Sequence, residues 1–196
     1  MNMRTTRKQA YTFTLLLHGA DPLTEDNMRA LENAGCTDAL FGRRGTVSYA
    51  DFDREAESFG EALLSAVQDV EGAIPGLKVT RVEPEELVSA SQIAVRTKRT
   101  RESIRLLIDG KRGPGNFPAP AVWVSSSRKL WRWTDVADWF TTCLQNPVSD
   151  VEMAAFVASV NAALAVRRNS AFLPSGPSKR QLAKLLAEDI DLLKVG

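Results

Sequence analysis

The fold of this chain is decided by residues 88–140, which read VSASQIAVRTKRTRESIRLLIDGKRGPGNFPAPAVWVSSSRKLWRWTDVADWF. This stretch contains two short helical segments, 90–96 and 101–109, separated by a tight break. Each segment follows a residue that can cap a helix, Ser89 for the first and Thr100 for the second, because a hydroxyl can accept an unpaired helix N–H. Two predicted strands and a third short helix follow these two helical segments.

Side-chain spacing in the two helices predicts how they pack. The positions that must face each other are apolar or small: Ile93, Ala94, Ile104 and Leu107. Helical periodicity then directs Arg101, Glu102 and Arg105 away from that contact. The order of helix, break, helix, hairpin and helix predicts a winged helix-turn-helix over 86–142, and an exposed basic helix face is what the major groove of DNA accepts.

The predicted hairpin is formed by Val122–Val124 and Leu130–Trp133, and Thr134 is predicted to cap the helix that follows it. Trp123, Trp131 and Trp133 could stack on bases. Tryptophans in such hairpins more often anchor the hairpin to the helices, so core packing is favoured. The glycines at 110, 113 and 115 are interpreted as turn residues, because no preceding strand and no G-K-[ST] ending support a phosphate loop.

The charge distribution singles out the same region. The 196 residues carry a formal net charge of +1. Residues 96–132 hold ten basic and two acidic side chains, a charge of +8, so the rest of the chain carries −7. A basic segment within an acidic protein favours a polyanionic partner, whereas a uniformly basic protein that coats DNA is excluded.

The chain before this region follows a different pattern. Residues 11–83 predict strand, helix, two strands, helix and strand, with Arg43-Arg44-Gly45 as the turn between the paired strands. Thr24 and Ser58 are the predicted helix caps. The order β-α-β-β-α-β predicts a ferredoxin-like domain over 1–84, so that the whole chain belongs to the α+β class.

The tail over 147–196 is predicted to be helical. Its first helix, to about residue 166, is apolar on most sides and must be buried against the chain or against a partner. We therefore expect this tail to support a homodimer. Its most apolar run is too short to cross a membrane, and no signal peptide is predicted.

Chemistry-bearing residues are sparse. One histidine, His18, and two distant cysteines, Cys36 and Cys143, give no metal-ligand spacing, and we expect two ordinary buried thiols. Asp51, Asp53 and Glu55 share one side of a strand, where a solvated sheet face is favoured over a Mg²⁺ site. No catalytic constellation is found, so neither an enzyme nor a cofactor or metal is predicted.

The run R-E-S-I-R-L, followed by G-x-F-P-x-P, a hairpin and W-R-W-x-D-V-A-x-W, resembles small bacterial winged-helix regulators of the MerR and AlpA/excisionase type. The resemblance covers 87–140. MerR regulators usually begin with this domain, whereas here it lies mid-chain without a cysteine cluster, so metal sensing is not carried over. Lys98 also occupies the turn where many such motifs have glycine.

The resemblance implies roles for particular residues. The recognition-helix role falls on Arg101, Glu102, Ser103 and Arg105, with an arginine binding guanine and Glu102 accepting from cytosine or orienting a neighbouring arginine. The wing role falls on Ser126, Ser127, Arg128 and Lys129. Together with these wing residues, we expect contacts to the DNA backbone from Lys98, Arg99, Thr100, Lys111 and Arg112.

The sequence thus predicts a cytoplasmic, homodimeric regulator that binds double-stranded DNA, and repression, including of its own promoter, is the simplest output. Two alternatives remain. One is an antitoxin that binds its operator and a toxin, with the acidic N-terminal domain as the protein-binding surface. The other is an excisionase-like factor that bends DNA.

Overall fold

The computed structural model describes residues 8–84, 87–122, 128–148, 151–173 and 175–192, with only the backbone for 188–192. Within these ranges the chain is a mixed α+β protein. Its strands are β1 (Gln9–His18), β2 (Ala39–Arg44), β3 (Val47–Ala56), β4 (Lys78–Glu83), β5 (Leu87–Val88) and β6 (Trp131–Arg132). Its helices are α1 (Glu25–Asn33), α2 (Phe59–Ala73), α3 (Ala90–Arg96), α4 (Arg101–Ile108), α5 (Trp133–Leu144), α6 (Val151–Asn169) and α7 (Pro177–Leu192), with a 3₁₀ turn at Ser170–Phe172.

The first four strands form an antiparallel sheet in the order β2-β3-β1-β4. Alternate residues of β1, such as Phe13 and Leu15, are buried with Leu63 and Val70 of α2 in one apolar core. The opposite face carries Asp51 and other polar residues of β3, and it is largely exposed. The sheet therefore has one apolar face and one open face, as its alternating sequence predicts.

The predicted helix starts in this part are confirmed. Thr24 accepts a hydrogen bond from the Asn27 N–H, and Ser58 accepts one from the Glu61 N–H. The predicted turn at Arg43-Arg44-Gly45 is wrong, because both arginines belong to β2 and Arg44 pairs with Val47. Two residues, Gly45 and Thr46, make the turn, and Gly45 supplies the positive φ of 60° that tight hairpins require.

Arg54 lies on the buried side of β3, where the alternation demands an apolar residue. Its guanidinium donates to Asp38 at 2.8 Å and to Asp69 at 2.7 Å. Burial opposes the charged form, but hydrogen bonds to these two carboxylates outweigh it and raise the pKa of Arg54. This cluster links β3, α2 and the turn after α1, and it satisfies a charge that would otherwise be costly to bury.

A second core joins α3, α4, α5 and the short sheet. Trp133 and Phe140 of α5 are almost fully buried with Ile93 and Ile104, so the residues predicted to pack in the two helices do so. Trp131 is also buried, which confirms its predicted core role; Trp123 lies outside the described residues.

The short sheet differs from the prediction. Strand β6 pairs with Leu87–Val88, a strand that the sequence analysis did not predict, and only the bridge between Val122 and Leu130 represents the predicted hairpin among the described residues. Thr134 was wrongly predicted as a helix cap. Helix α5 already begins at Trp133, after Arg132, which makes no capping hydrogen bond through its side chain.

Helix α6 contributes to both cores. Val157 and Leu164 are buried in the first core, whereas Val151 and Ala154 pack against the second. One side of this apolar helix therefore packs on the same chain, while Ala155, Ala162, Ala163 and Val166 are exposed. The described side chains of α7, from 177 to 187, are by contrast exposed or half-exposed.

Helix α6 also covers the free edge of β4. The Asn161 carboxamide accepts from the Val82 N–H at 2.8 Å and donates to the Val82 carbonyl at 2.9 Å. Arg167 donates to the carbonyl of Val79. Side chains of a helix thus take the place of a neighbouring strand and satisfy backbone groups that a sheet edge leaves unpaired.

None of the helices in the described ranges is long and apolar enough to cross a bilayer.

Candidate nucleic-acid interface

The turn between α3 and α4 is short and tightly hydrogen-bonded. Thr97 ends α3, and Thr100 accepts a hydrogen bond from the Ser103 N–H at 3.1 Å to begin α4. Between them Lys98 adopts a left-handed conformation with φ of 53°, so that the Arg99 N–H can donate to the Ala94 carbonyl at 2.9 Å. Lysine occupies this conformation at a cost that glycine does not incur.

The face of α4 opposite the core is exposed and polar. Ile104 and Leu107 are buried, while Arg101, Glu102 and Arg105 are exposed, as the periodicity predicts. Ser103 is half-buried, and its N–H is used by the cap. The structure therefore brings the four predicted base-reading residues to the first turns of one exposed helix, which ends at Ile108 rather than 109.

Arg105 is not an isolated cation. Its guanidinium donates two hydrogen bonds to Glu102, at 2.9 and 2.7 Å, and one to Asp109 at 3.1 Å. The hydrogen bond from Arg105 lowers the pKa of Glu102, and the same contact raises the pKa of Arg105. Glu102 thus orients Arg105, which was one of its two predicted roles, and Arg105 must exchange these partners before it can bind a base.

The cations around α4 fall into two groups. Lys98, Lys111 and Arg112 are exposed, and Arg101 has no partner recorded among the described residues. Arg99 is half-buried with its guanidinium 5.3 Å from the centre of the Phe140 ring. Similarly, Arg96 lies 4.9 Å from the ring centre of Trp133, so these two arginines help to cover the core as well as adding charge.

Two tryptophans hold the loop after α4 in place. The Trp139 indole donates to the Gly115 carbonyl at 3.1 Å, and the Trp131 indole donates to the Pro118 carbonyl at 3.0 Å. Phe117 packs edge-on against both rings. The glycines and prolines of this loop therefore serve as turn residues, and the loop is fixed beside the carboxyl end of α4.

The structure describes only part of the predicted wing. Arg128 and Lys129 are exposed and engage in interactions with other residues, whereas Ser126 and Ser127 lie outside the described residues. Residues 128–132 lead directly into α5, so the chain places these two cations at the edge of the second core.

Other candidate residues lie away from this surface. Asp51, Asp53 and Glu55 are exposed on the open sheet face, where Thr14 donates to Asp51 at 2.6 Å. Within the described residues no three His, Cys, Asp or Glu side chains group as metal ligands. Burial raises the pKa of the Cys36 thiol to about 11, but Cys143 is exposed, contrary to the expectation of two buried thiols.

Sequence reasoning missed the polar residues that organise the first core. Arg54 could have been recognised as a charge at a buried position of an alternating strand, and Asn161 as a lone amide on an apolar helix face. Glu71 carried no such signal. It accepts hydrogen bonds from the Val79 N–H, Lys78 and Arg167, contacts that form only after folding.

Comparison of the chain with protein-family models, with curated proteins and with solved structures found no match. The resemblance to winged-helix regulators therefore rests on the quoted motifs alone.

Proposed function

We propose that this protein is a sequence-specific, double-stranded DNA-binding regulator that acts in the cytoplasm, most simply as a repressor or autoregulator. In this proposal the second core with its short sheet is a winged helix-turn-helix, and the four-stranded sheet, with the strand order of a ferredoxin-like sandwich, is an attached domain. The observation that carries the proposal is the exposed polar face of α4 beside the tight turn at Lys98.

In the proposed complex α4 enters the major groove. Arg101 contacts a guanine edge first, because its guanidinium is not committed to a carboxylate within the described chain. Arg105 follows only where the DNA offers a better acceptor than Glu102. Lys98, Lys111 and Arg112 neutralise phosphates on both sides of α4, so the affinity falls with salt. The outward-facing Glu102 adds discrimination, since a carboxylate repels phosphate and accepts from cytosine.

A homodimer is part of the proposal. Two copies related by a two-fold axis would place two α4 helices about 34 Å apart on an inverted repeat. Since α6 packs against both cores of its own chain, two leucines of α7, the half-buried Leu182 and the exposed Leu185, are the better candidates for contact between copies.

The test begins with selection of genomic fragments bound by the full chain at moderate salt. Affinities are then measured for an enriched fragment and for a scrambled one. Arg101→Ala is expected to weaken binding to the enriched fragment by about tenfold or more and to the scrambled one much less, since a bidentate base contact is worth ~1–3 kcal/mol. Arg105→Ala follows the same pattern with a smaller loss, because Glu102 competes for its guanidinium.

Lys111→Ala should weaken binding to both fragments alike and reduce the salt slope by about one. Arg29→Ala, an exposed arginine on α1 that pairs with Glu25, is the matched control and should change neither affinity. If Arg101→Ala reduces both affinities equally, base reading by α4 is wrong. If no fragment is enriched, sequence-specific binding is wrong, and a strong bend in an enriched fragment would favour the excisionase-like alternative.

A further inference from the structure

The first core has a cleft to whose lining α4 contributes no residue. It lies between β1, β4 and the carboxyl-terminal half of α6, with the 3₁₀ turn at its rim, and its volume is about 1010 Å³. Ligand pockets in proteins have volumes of about 300–1,000 Å³ and bury most of a small ligand. The cleft is therefore large enough to hold a small molecule.

Apolar side chains form much of its lining. Leu164 is buried at its base, Leu16 is half-buried on the sheet, and Val47 is 43% exposed. Phe172 at the rim is 84% exposed, which is unusual for so large an apolar side chain. A ligand with an apolar body would remove these surfaces from water, which favours binding in proportion to the area covered.

The charged residues of the lining are all cationic. They are Lys78, Arg81, Arg167 and Arg168; the other polar residues are His18, Thr46, Thr80 and Asn161, and the described lining contains no Asp or Glu. This composition contrasts with the negative charge of the chain outside 96–132. Glu71 neutralises part of the positive charge of the cleft. Its carboxylate is only 14% exposed and forms ion pairs with both Lys78 and Arg167. A cleft lined by one sign of charge attracts ligands of the opposite sign.

The backbone at this place is irregular. The pairing of β1 with β4 shifts between Leu16 and Leu17, so that Thr80 is an extra residue in β4, and its hydroxyl donates to the Leu16 carbonyl at 3.1 Å. Bulges of this kind redirect side chains and are common beside binding sites. Here the bulge lies in the lining of the cleft and changes the direction of Arg81 relative to Lys78.

We propose that this cleft binds a small amphipathic anion, an aromatic or aliphatic body that carries a carboxylate, sulfonate or phosphate group. The body lies on Leu16, Leu164 and Phe172, and the anionic group faces Arg168 and the neighbouring cations. The apolar part of the lining favours a molecule with an apolar body over a nucleic acid, which carries a charge on every backbone phosphate. The proposal does not depend on DNA binding.

The test uses the full chain and two fluorescent probes of similar size: anilinonaphthalene sulfonate, which is anionic, and phenylnaphthylamine, which is neutral. We expect saturable binding of the anion with one site per chain. Arg168→Glu should weaken it by about tenfold, the value of a lost charge-assisted contact, and leave the neutral probe unaffected. Phe172→Ala should weaken both probes. Both residues are exposed, so neither change threatens the fold.

Two variants serve as matched controls. Arg180→Glu reverses an exposed charge on α7, outside the cleft, and Leu64→Glu removes an exposed apolar residue of α2, also outside it. Neither should alter binding of the anion. Equal losses for Arg168→Glu and Arg180→Glu would overturn the proposal, as would a loss on Leu64→Glu without one on Phe172→Ala. Light scattering that shows a wild-type dimer and an Arg168→Glu monomer would assign the cleft to a second copy and also overturn it.

Discussion

Lys98 holds the turn between α3 and α4 in a conformation that suits glycine better. Its φ of 53° lets the Arg99 N–H reach the Ala94 carbonyl, and this hydrogen bond closes the turn. A lysine at this position combines some backbone strain with a positive charge beside the exposed face of α4. The exposed side chain is consistent with selection for the charge rather than for stability.

Substitution of Lys98 separates these two properties. Lys98→Gly removes both strain and charge, whereas Lys98→Ala removes only the charge. We expect Lys98→Gly to be more stable than Lys98→Ala by about 1 kcal/mol, because a non-glycine residue pays roughly that amount in the left-handed region. Urea unfolding followed by tryptophan fluorescence measures the difference. Equal midpoints would show that the turn is not strained at this residue.

At the level of secondary-structure elements, the two edge strands of the four-stranded sheet differ in whether a helix covers them. The β4 edge is covered by α6, whose Asn161 binds both the N–H and the carbonyl of Val82. At the β2 edge, Leu40 is 68% exposed, and no helix among the described elements covers the strand in this way. Asn161 and Arg167 therefore hold α6 along this edge of the sheet.

Asn161→Ala should destabilise the protein by about 2–3 kcal/mol, because it leaves a buried N–H and a buried carbonyl without partners. Asn161→Asp retains an acceptor for the N–H but loses the donor, and should cost less at acidic pH, where the carboxyl is protonated and can donate again.

Ser159→Ala, on the exposed side of α6, is the control and should be close to neutral. The free energy of unfolding from denaturant titration is the measurement. A loss for Ser159→Ala as large as that for Asn161→Ala would contradict the capping role.

Local signals allowed most elements to be predicted, and contacts distant in sequence account for what was missed. Caps such as Thr24 and Ser58 act within one turn of helix, so their patterns are visible in the sequence. Strand β5 was missed because a two-residue strand exists only through its partner β6. The cap at Thr134 was predicted from residue type alone, but burial of Trp133 at the start of α5 determines where that helix begins.

The candidate site was likewise predicted only where local patterns determine it. Periodicity placed Arg101, Glu102 and Arg105 on one exposed face, because helical spacing depends only on the local backbone. Periodicity did not predict that the Arg105 guanidinium donates to both Glu102 and Asp109, because side-chain rotamers determine these hydrogen bonds. The cationic cleft could not be predicted at all, because its lining comes from residues more than a hundred positions apart.

On the scale of the whole molecule, α6 connects two cores that the sequence assigns to separate parts. Its first turn packs with Val151 and Ala154 in the second core, and Leu164 is buried in the first. Arg167 and Glu71 add an ion pair near its carboxyl end. Burial opposes ionisation of Glu71, but hydrogen bonds from the Val79 N–H, Arg167 and Lys78 outweigh it, so the pKa of Glu71 is lowered. This contribution is present near neutral pH and disappears as the pH falls through that lowered pKa.

We expect the two cores to unfold together. Trp131, Trp133 and Trp139 are buried in the second core and report its unfolding by fluorescence, whereas Leu164 belongs to the first core. Leu164→Ala should lower the free energy of unfolding by about 2–4 kcal/mol, the usual cost of such a cavity, and should shift the tryptophan and circular dichroism transitions by the same amount. Val166→Ala, a more exposed position on α6, should shift neither. A tryptophan transition that stays in place would show that the cores unfold independently.

Helix α6 is also a rod of 19 residues, about 28 Å long at 1.5 Å per residue. One end lies against the cationic cleft and the other against α5, which supports α4. A tilt of about 5° at the cleft would displace the far end by about 2 Å, a motion that a straight helix transmits without bending. The same helix that joins the cores thus extends from the cleft to α5, whose buried residues pack with Ile104 and Leu107 of α4.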